Sequence, residues 1–166
     1  GRGAVQFDRV TFGYNPAKPV LHELDFQIKG GSVVAIVGPT GAGKTTVVNL
    51  ISRFYDPSSG AVRLDGIDLR RVAEAELRRA VVMVTQDGFL FSGSVADNIC
   101  FFDLEPDRER IEACARLAAI EPDIHAMPMG YNTLIGDMGT VLSGGQKQRL
   151  LLARALYKQP RVLALD

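Results

Sequence analysis

Val33-Val34-Ala35-Ile36-Val37-Gly38-Pro39-Thr40-Gly41-Ala42-Gly43-Lys44-Thr45-Thr46 is the stretch that decides the fold. Its first five residues are apolar and mostly β-branched, without alternation, the pattern of a strand buried on both faces of a parallel sheet. Gly38 to Thr45 then matches G-x-x-x-x-G-K-[ST], a phosphate-binding loop. The glycines let the backbone curl so that several N–H groups point at one phosphate chain. The helix expected next, to about Arg53, aims the positive end of its dipole at the same place. Lys44 reaches the β and γ phosphates as a mobile point charge. The Thr45 hydroxyl suits Mg²⁺, which binds through few protein ligands plus phosphate oxygens. The bland alternative is a glycine-rich connector with a solvated lysine; a strand before it and a helix after it favour the phosphate loop.

Outward from this stretch, Ala4 to Phe12 alternates (Val5, Phe7, Val10, Phe12), with an irregularity near Asp8. Val20, Leu24, Phe26 and Ile28 share one face of a second strand, which also carries His22. Both read as strands of an antiparallel sheet. Ala61–Leu64 and Ile67–Leu69 flank Asp65-Gly66, a hairpin signal. A short helix is expected over Glu74–Arg79 and a buried strand over Val81–Val84. From about Phe89 to Val141 the pattern turns helical, clearest over Ile111–Ala119, with Pro106, Pro122 and Pro128 as breakers. Gly144–Tyr157 reads as a long helix and Val162–Leu165 as a final buried strand. Buried strands alternating with helices predict an α/β fold with a parallel sheet.

Composition narrows the function classes. The chain has 166 residues, 19 Lys+Arg against 19 Asp+Glu, 46% hydrophobic and 23% charged residues, a balance that suits one folded domain with a core. A neutral chain lacks the basic excess of a nucleic-acid binder. Two cysteines, Cys100 and Cys114, are too few for a disulfide framework and read as packed thiols. No run approaches the ~20 apolar residues of a membrane span. The start, Gly1-Arg2-Gly3, has neither Met nor an apolar leader, and the end is a strand stopping on Asp166. The expectation is therefore a piece of a longer polypeptide.

Four further features bear on chemistry. Asp166 after an apolar run fits a strand-end carboxylate that holds Mg²⁺, or a loop-starting acid. Leu142-Ser143-Gly144-Gly145-Gln146 opens a helix with Ser143 as N-cap; its two glycines leave N–H groups bare as a second anion site, or simply cap a core helix. Gln86 follows a buried strand at the ligand edge of the sheet, where it could touch Mg²⁺ or an attacking water, or serve as a capping glutamine. Tyr14 is either a base-stacking aromatic or a surface ring. His22 reads as structural and His125 as a surface residue, with no metal-ligand spacing to another His or Cys. Arg149, Arg154 and Lys158 read as a solvated helix face.

Leu142 to Gln146, in its order after the Gly38–Thr45 loop, is similar to the signature of ATP-binding-cassette (ABC) proteins. The resemblance extends over essentially the whole chain. Tyr14 stands where that family stacks an aromatic on adenine, Gln86 where a glutamine links nucleotide to the transmembrane partner, and Val162–Asp166 looks like the Walker B strand. Phe12-Gly13-Tyr14, Arg53-Phe54-Tyr55-Asp56-Pro57 and Phe89-Leu90-Phe91-Ser92-Gly93 resemble multidrug or lipid exporters. Ile99-Cys100-Phe101-Phe102-Asp103 and Met129–Gly139 resemble bacteriocin or peptide exporters, so the pedigree reads as mixed.

The resemblance implies a P-loop NTPase core (33–59, 71–88 and 144–166), an antiparallel β part (1–32 and about 60–70) and a helical subdomain (about 89–143) bearing the signature. It implies ATP and Mg²⁺ as cofactors. Tyr14, Gly38, Pro39, Thr40, Gly41, Ala42, Gly43, Lys44, Thr45, Thr46, Ser143, Gly144, Gly145 and Gln146 would contact nucleotide. Thr45, Gln86 and Asp166 would hold the metal, and Lys44, Gln86 and Asp166 would act in catalysis. The implied partners are ATP or ADP, a second nucleotide-binding domain packed head to tail, and the transmembrane domain of an exporter, at the cytoplasmic face of a membrane; nucleic acid is not among them. A DNA-repair or translation ATPase fits less well, given the exporter-like segments and zero net charge. The family's catalytic Glu and His would fall after Asp166. The alternative to an ATP-hydrolysing motor is thus a nucleotide-binding module with little turnover, since a general base contributes roughly 10²–10⁴-fold.

Overall fold

The computed structural model describes residues 2–136 and 140–166. In chain order the elements are β1 (Val5–Phe12), β2 (Leu21–Ile28), α1 (Lys44–Ile51), β3 (Ser59–Leu64), β4 (Ile67–Asp68), α2 (Glu74–Ala80), β5 (Val81–Val84), β6 (Gly93–Ser94), α3 (Val95–Cys100), α4 (Arg108–Leu117), α5 (Glu121–Ala126), β7 (Leu134–Ile135), α6 (Gly144–Tyr157) and β8 (Val162–Leu165). The fold is mixed α/β. A four-stranded sheet has the order β2-β1-β3-β4, and β5–β8 and β6–β7 form two-stranded sheets. Two compact units result, one of Gly1–Met83 with Arg161–Ala164 and Asp166, the other of Val84–Pro160 with Leu165.

In the first unit β1 pairs antiparallel with β2 and β3. Its alternation works as the pattern predicts: Val5, Phe7, Val10 and Phe12 are buried, and Phe7 stacks on Phe26 at 4.5 Å between centroids. The irregularity near Asp8 is real, because the register shifts between Phe7 and Val10 while Arg9 takes φ 46°. The Asp65-Gly66 turn has positive φ at both residues (50° and 83°), the geometry that suits the twist of a tight hairpin. Val47, Leu50 and Ile51 of α1 and Leu77 of α2 complete this core.

Three expectations require correction here. Val33–Val37 is not a strand: no pairing engages it among the described residues, and Val37 is 89% exposed. A β-branched run predicts burial only where neighbouring strands flank it, and β5 and β8 pair with each other instead. The run β8 is half-buried rather than buried. On β2 the inward face is Leu21, Leu24, Phe26 and Ile28, and His22 is exposed. The cause is a shift at Glu23, whose φ is 42° and whose N–H donates to Thr11 Oγ1 at 3.0 Å.

The second unit is mainly helical. Val95, Ile99, Ile111, Ala115, Ile120, Ile124, Leu150 and Ala153 form its core, with both cysteines buried and unpaired. Asn98, fully buried, organises the segment before α3. Its amide nitrogen donates to the carbonyls of Phe91 and Ser94, both at 3.0 Å, and its Oδ1 accepts from the Phe91 N–H at 2.8 Å. Arg154 of α6 donates to Asn98 Oδ1 and to the carbonyls of Asn98 and Phe89. Arg154 is therefore not part of a solvated face. It is half-buried, has no carboxylate partner among the described residues, and lies over the Phe91 ring. Burial lowers its pKa from the ordinary arginine range. Replacing Asn98 with Ala removes these bonds at a fully buried position. A loss of about 3 kcal/mol is expected, since each orphaned buried polar group costs about 1–3 kcal/mol; chemical denaturation measures it.

Candidate phosphate-binding site

The loop Gly38–Gly43 ends in a residue that only glycine suits. Gly43 is the N-cap of α1 with φ 95°, and Gly41 has φ 85°. A Cβ on Gly43 would lie 2.9 Å from Leu21 Cδ2. The turn is closed by the Ala42 N–H donating to the Pro39 carbonyl at 3.1 Å, and the first α1 hydrogen bond runs from the Val47 N–H to the Gly43 carbonyl at 3.0 Å. The opening turn of any helix has N–H groups without intrahelical acceptors. Among the described residues no side chain caps them, and no acid occupies the first turn. The helix start is a bare, unopposed donor set. Lys44, half-buried, folds its ammonium back onto the Gly38 carbonyl, so the positive charge lies over the loop. Thr45 is exposed at the same helix start.

Tyr14 is fixed beside this turn. Its hydroxyl accepts from Asn49 Nδ2 at 2.9 Å and from the buried Thr46 Oγ1 at 3.2 Å. Phe12 and Tyr55 meet its ring edge-on at 5.1 and 5.0 Å. The ring stays 49% exposed, an aromatic surface held next to the phosphate loop. Asn49 was not singled out by sequence, and Tyr55 was noted only within the exporter-like Arg53–Pro57 run, not as a site residue; the i, i+3 spacing of Thr46 and Asn49 on α1 was the available signal. Asp166 is exposed after β8, and no hydrogen bond or ion pair joins it to the loop among the described residues. No group of three His, Cys, Asp or Glu side chains there could cage a metal. The hydroxyl of Thr45 and the carboxylate of Asp166 are hard oxygen donors, which suits Mg²⁺ in its habit of taking few protein ligands. An open cleft of about 300 Å³ at Arg53, Tyr55, Asp56, Glu74 and Arg78 includes none of the loop residues.

In the second unit, α6 begins with a full capping box. Ser143 Oγ accepts from the Gln146 N–H at 3.1 Å, and Gln146 Oε1 accepts from the Ser143 N–H at 2.9 Å. Gly144 and Gly145 are exposed, with open space where a Cβ would sit. Asp123 of α5, not singled out by sequence, accepts from Gln146 Nε2 at 3.0 Å and from Arg149 Nη1 at 2.7 Å. The Gln146 bond first, and then Arg149, lower its pKa below the ordinary carboxylate value. The carboxylate is therefore ionised at neutral pH and loses its charge only well into acid. Gln86 lies exposed in a tight turn; its carbonyl accepts from Gln148 Nε2 at 3.1 Å, and its side chain has no partner among the described residues. His125 is exposed, as the sequence predicts.

A glycine-curled loop running into an uncapped helix, with a lysine at its first position, defines a phosphate-binding P-loop protein. Residues 21–166 match the family model described as ABC transporter, and the chain belongs to that family. It is 45% identical over 167 residues to the ATP-dependent lipid A-core flippase of Burkholderia pseudomallei (strain 1710b), covering 99% of this chain and 28% of that protein. It is 44% identical over 165 residues to the ATM1-type heavy metal exporter of Novosphingobium aromaticivorans, covering 99% of this chain and 27% of that protein. A solved structure of a bacterial Atm1-family ABC exporter with ATP bound superposes with a TM-score of 0.88 at 44% identity, covering 100% of this chain and 29% of that one. The chain thus spans less than a third of the length of these relatives. Among the described residues no helix is long and apolar enough to cross a membrane.

The two helix-start glycines answer differently to substitution. Gly43→Ala combines a left-handed φ with a close contact, and about 2 kcal/mol of stability should be lost. Gly144→Ala enters open space at the first position of α6, and stability should stay within about 0.5 kcal/mol of the parent. Denaturant midpoints of the two variants check this.

Proposed function

We propose that this chain is the ATP-binding and ATP-hydrolysing domain that drives an exporter. The observation that carries the reading is the uncapped start of α1, with the Lys44 ammonium over its loop and no acid in its first turn. The N–H groups and Lys44 take the β and γ phosphates, and the exposed Tyr14 ring supports the base. Thr45 and Asp166 would hold Mg²⁺, and the ion would neutralise charge on the transferring phosphoryl group.

The glycine-opened start of α6 is the second anion-facing surface. In the proposed cycle it closes over the γ phosphate held by the loop of another nucleotide-binding domain, so ATP joins two domains head to tail and hydrolysis releases them. A transmembrane domain at the cytoplasmic face of the membrane would convert that cycle into export. Similarity to a lipid A-core flippase and a heavy metal exporter supports an exporter.

Calorimetric titration of the chain with ATP and Mg²⁺ tests the nucleotide site. Lys44→Ala removes charge-assisted hydrogen bonds, each worth about 1.5–3 kcal/mol, so affinity should fall about tenfold to a hundredfold. Any phosphate release by the parent chain should vanish with it. Unchanged affinity in Lys44→Ala would contradict the reading.

A further inference from the structure

The capping box at α6 depends on the orientation of one amide. For the Ser143 N–H to be accepted, Gln146 must present Oε1 toward Ser143 and Nε2 away from it. An amide group can flip, since its oxygen and nitrogen are nearly the same size, and only its partners select one orientation. The partner on the far side is Asp123 Oδ1, at 3.0 Å from Gln146 Nε2. An ionised carboxylate can only accept, so it compels the nitrogen to face it and the oxygen to face Ser143.

The other carboxylate oxygen does related work. Asp123 Oδ2 accepts from Arg149 Nη1 at 2.7 Å, and the same nitrogen donates to the Ala119 carbonyl at 2.8 Å. Arg149 Nε then donates to the Gly145 carbonyl at 3.2 Å. One aspartate on α5 therefore reaches the turn by two routes, through Gln146 to Ser143 and through Arg149 to Gly145. Gly144 and Gly145 have no side chains of their own to steady them.

We propose that Asp123 is a positioning residue for the Ser143-Gly144-Gly145 turn: it locks the Gln146 amide in the orientation that closes the capping box and holds Arg149 on the Gly145 carbonyl. The inference deepens the proposed function, since it rests on that turn facing a phosphate. Asp123 touches no phosphate itself. Its effect on nucleotide chemistry is carried by the direction in which the turn's N–H groups point.

Asp123→Asn is the decisive variant. If the asparagine oxygen keeps Gln146, its amide nitrogen meets the Arg149 donor; if it keeps Arg149, its nitrogen draws the Gln146 oxygen toward itself and away from Ser143. Glu121→Gln is the control, because Glu121 on the same short helix pairs with Arg116 and not with α6. Amide hydrogen exchange of the Ser143 and Gln146 N–H groups, read by NMR, should be about tenfold faster in Asp123→Asn and unchanged in Glu121→Gln. The Ala153 amide, deep in α6, should keep the parent rate in both. Unchanged exchange at Ser143 and Gln146 would overturn the proposal, as would equal acceleration along the whole of α6.

A second measurement separates this claim from the functional reading. Nucleotide affinity at the Lys44 loop should be the same in Asp123→Asn as in the parent. Its ATP-dependent self-association, followed by sedimentation velocity, should be at least tenfold weaker. If the parent associates with ATP and Asp123→Asn does so equally well, the positioning role falls. If the parent does not associate with ATP at all, the head-to-tail reading falls instead, and the exchange rates still decide the role of Asp123.

Discussion

The unpaired N–H groups at the start of α1 are the constraint on which the rest of the first unit depends. A helix start normally recruits a serine, threonine or acid to accept from those groups. Here the N-cap is Gly43, which offers no acceptor, and its φ of 95° excludes most side chains that would. Among the described residues no side chain accepts from this donor set, which is left to water or a ligand. Burial of Val47, Leu50 and Ile51 holds the helix in place despite the missing cap. Tyr14, through Thr46 and Asn49, joins the loop's surroundings to the same helix.

The start of α6 resolves the same problem in another way. Ser143 and Gln146 cap each other, which satisfies their own two N–H groups, while Gly144 and Gly145 keep the outer face open. One helix start thus leaves its first N–H groups to water or a ligand, whereas the other satisfies two of its own and keeps the rest open. This difference fits the division of roles proposed above for the two helix starts.

Features set by residues close in sequence were legible. The glycine spacing of the loop, the N-cap serine of α6 and the alternation of β1 depend on neighbours within a few positions, and each is found where its pattern places it. What failed depended on distant partners. Val33–Val37 has the composition of a buried strand, but burial requires flanking strands from elsewhere in the chain. The face of β2 moved because Thr11, twelve residues before Glu23, draws its N–H into a bulge. Arg154 reads as a surface charge until Asn98 and Phe89, 56 and 65 residues away, supply the acceptors that desolvate it. Asp123 carried no local signal, because its partners lie 23 and 26 residues later.

If the helix start is the centre of this molecule, the phosphates and not the base supply most of the binding energy. Calorimetric titration of the chain with ATP, ADP, AMP and adenosine, in Mg²⁺, measures this directly. The account predicts that ADP, without the γ phosphate, binds about tenfold more weakly than ATP, and that AMP and adenosine bind at least about a hundredfold more weakly than ATP, as loss of two or more charge-assisted hydrogen bonds requires. Adenosine binding as tightly as ATP would contradict it.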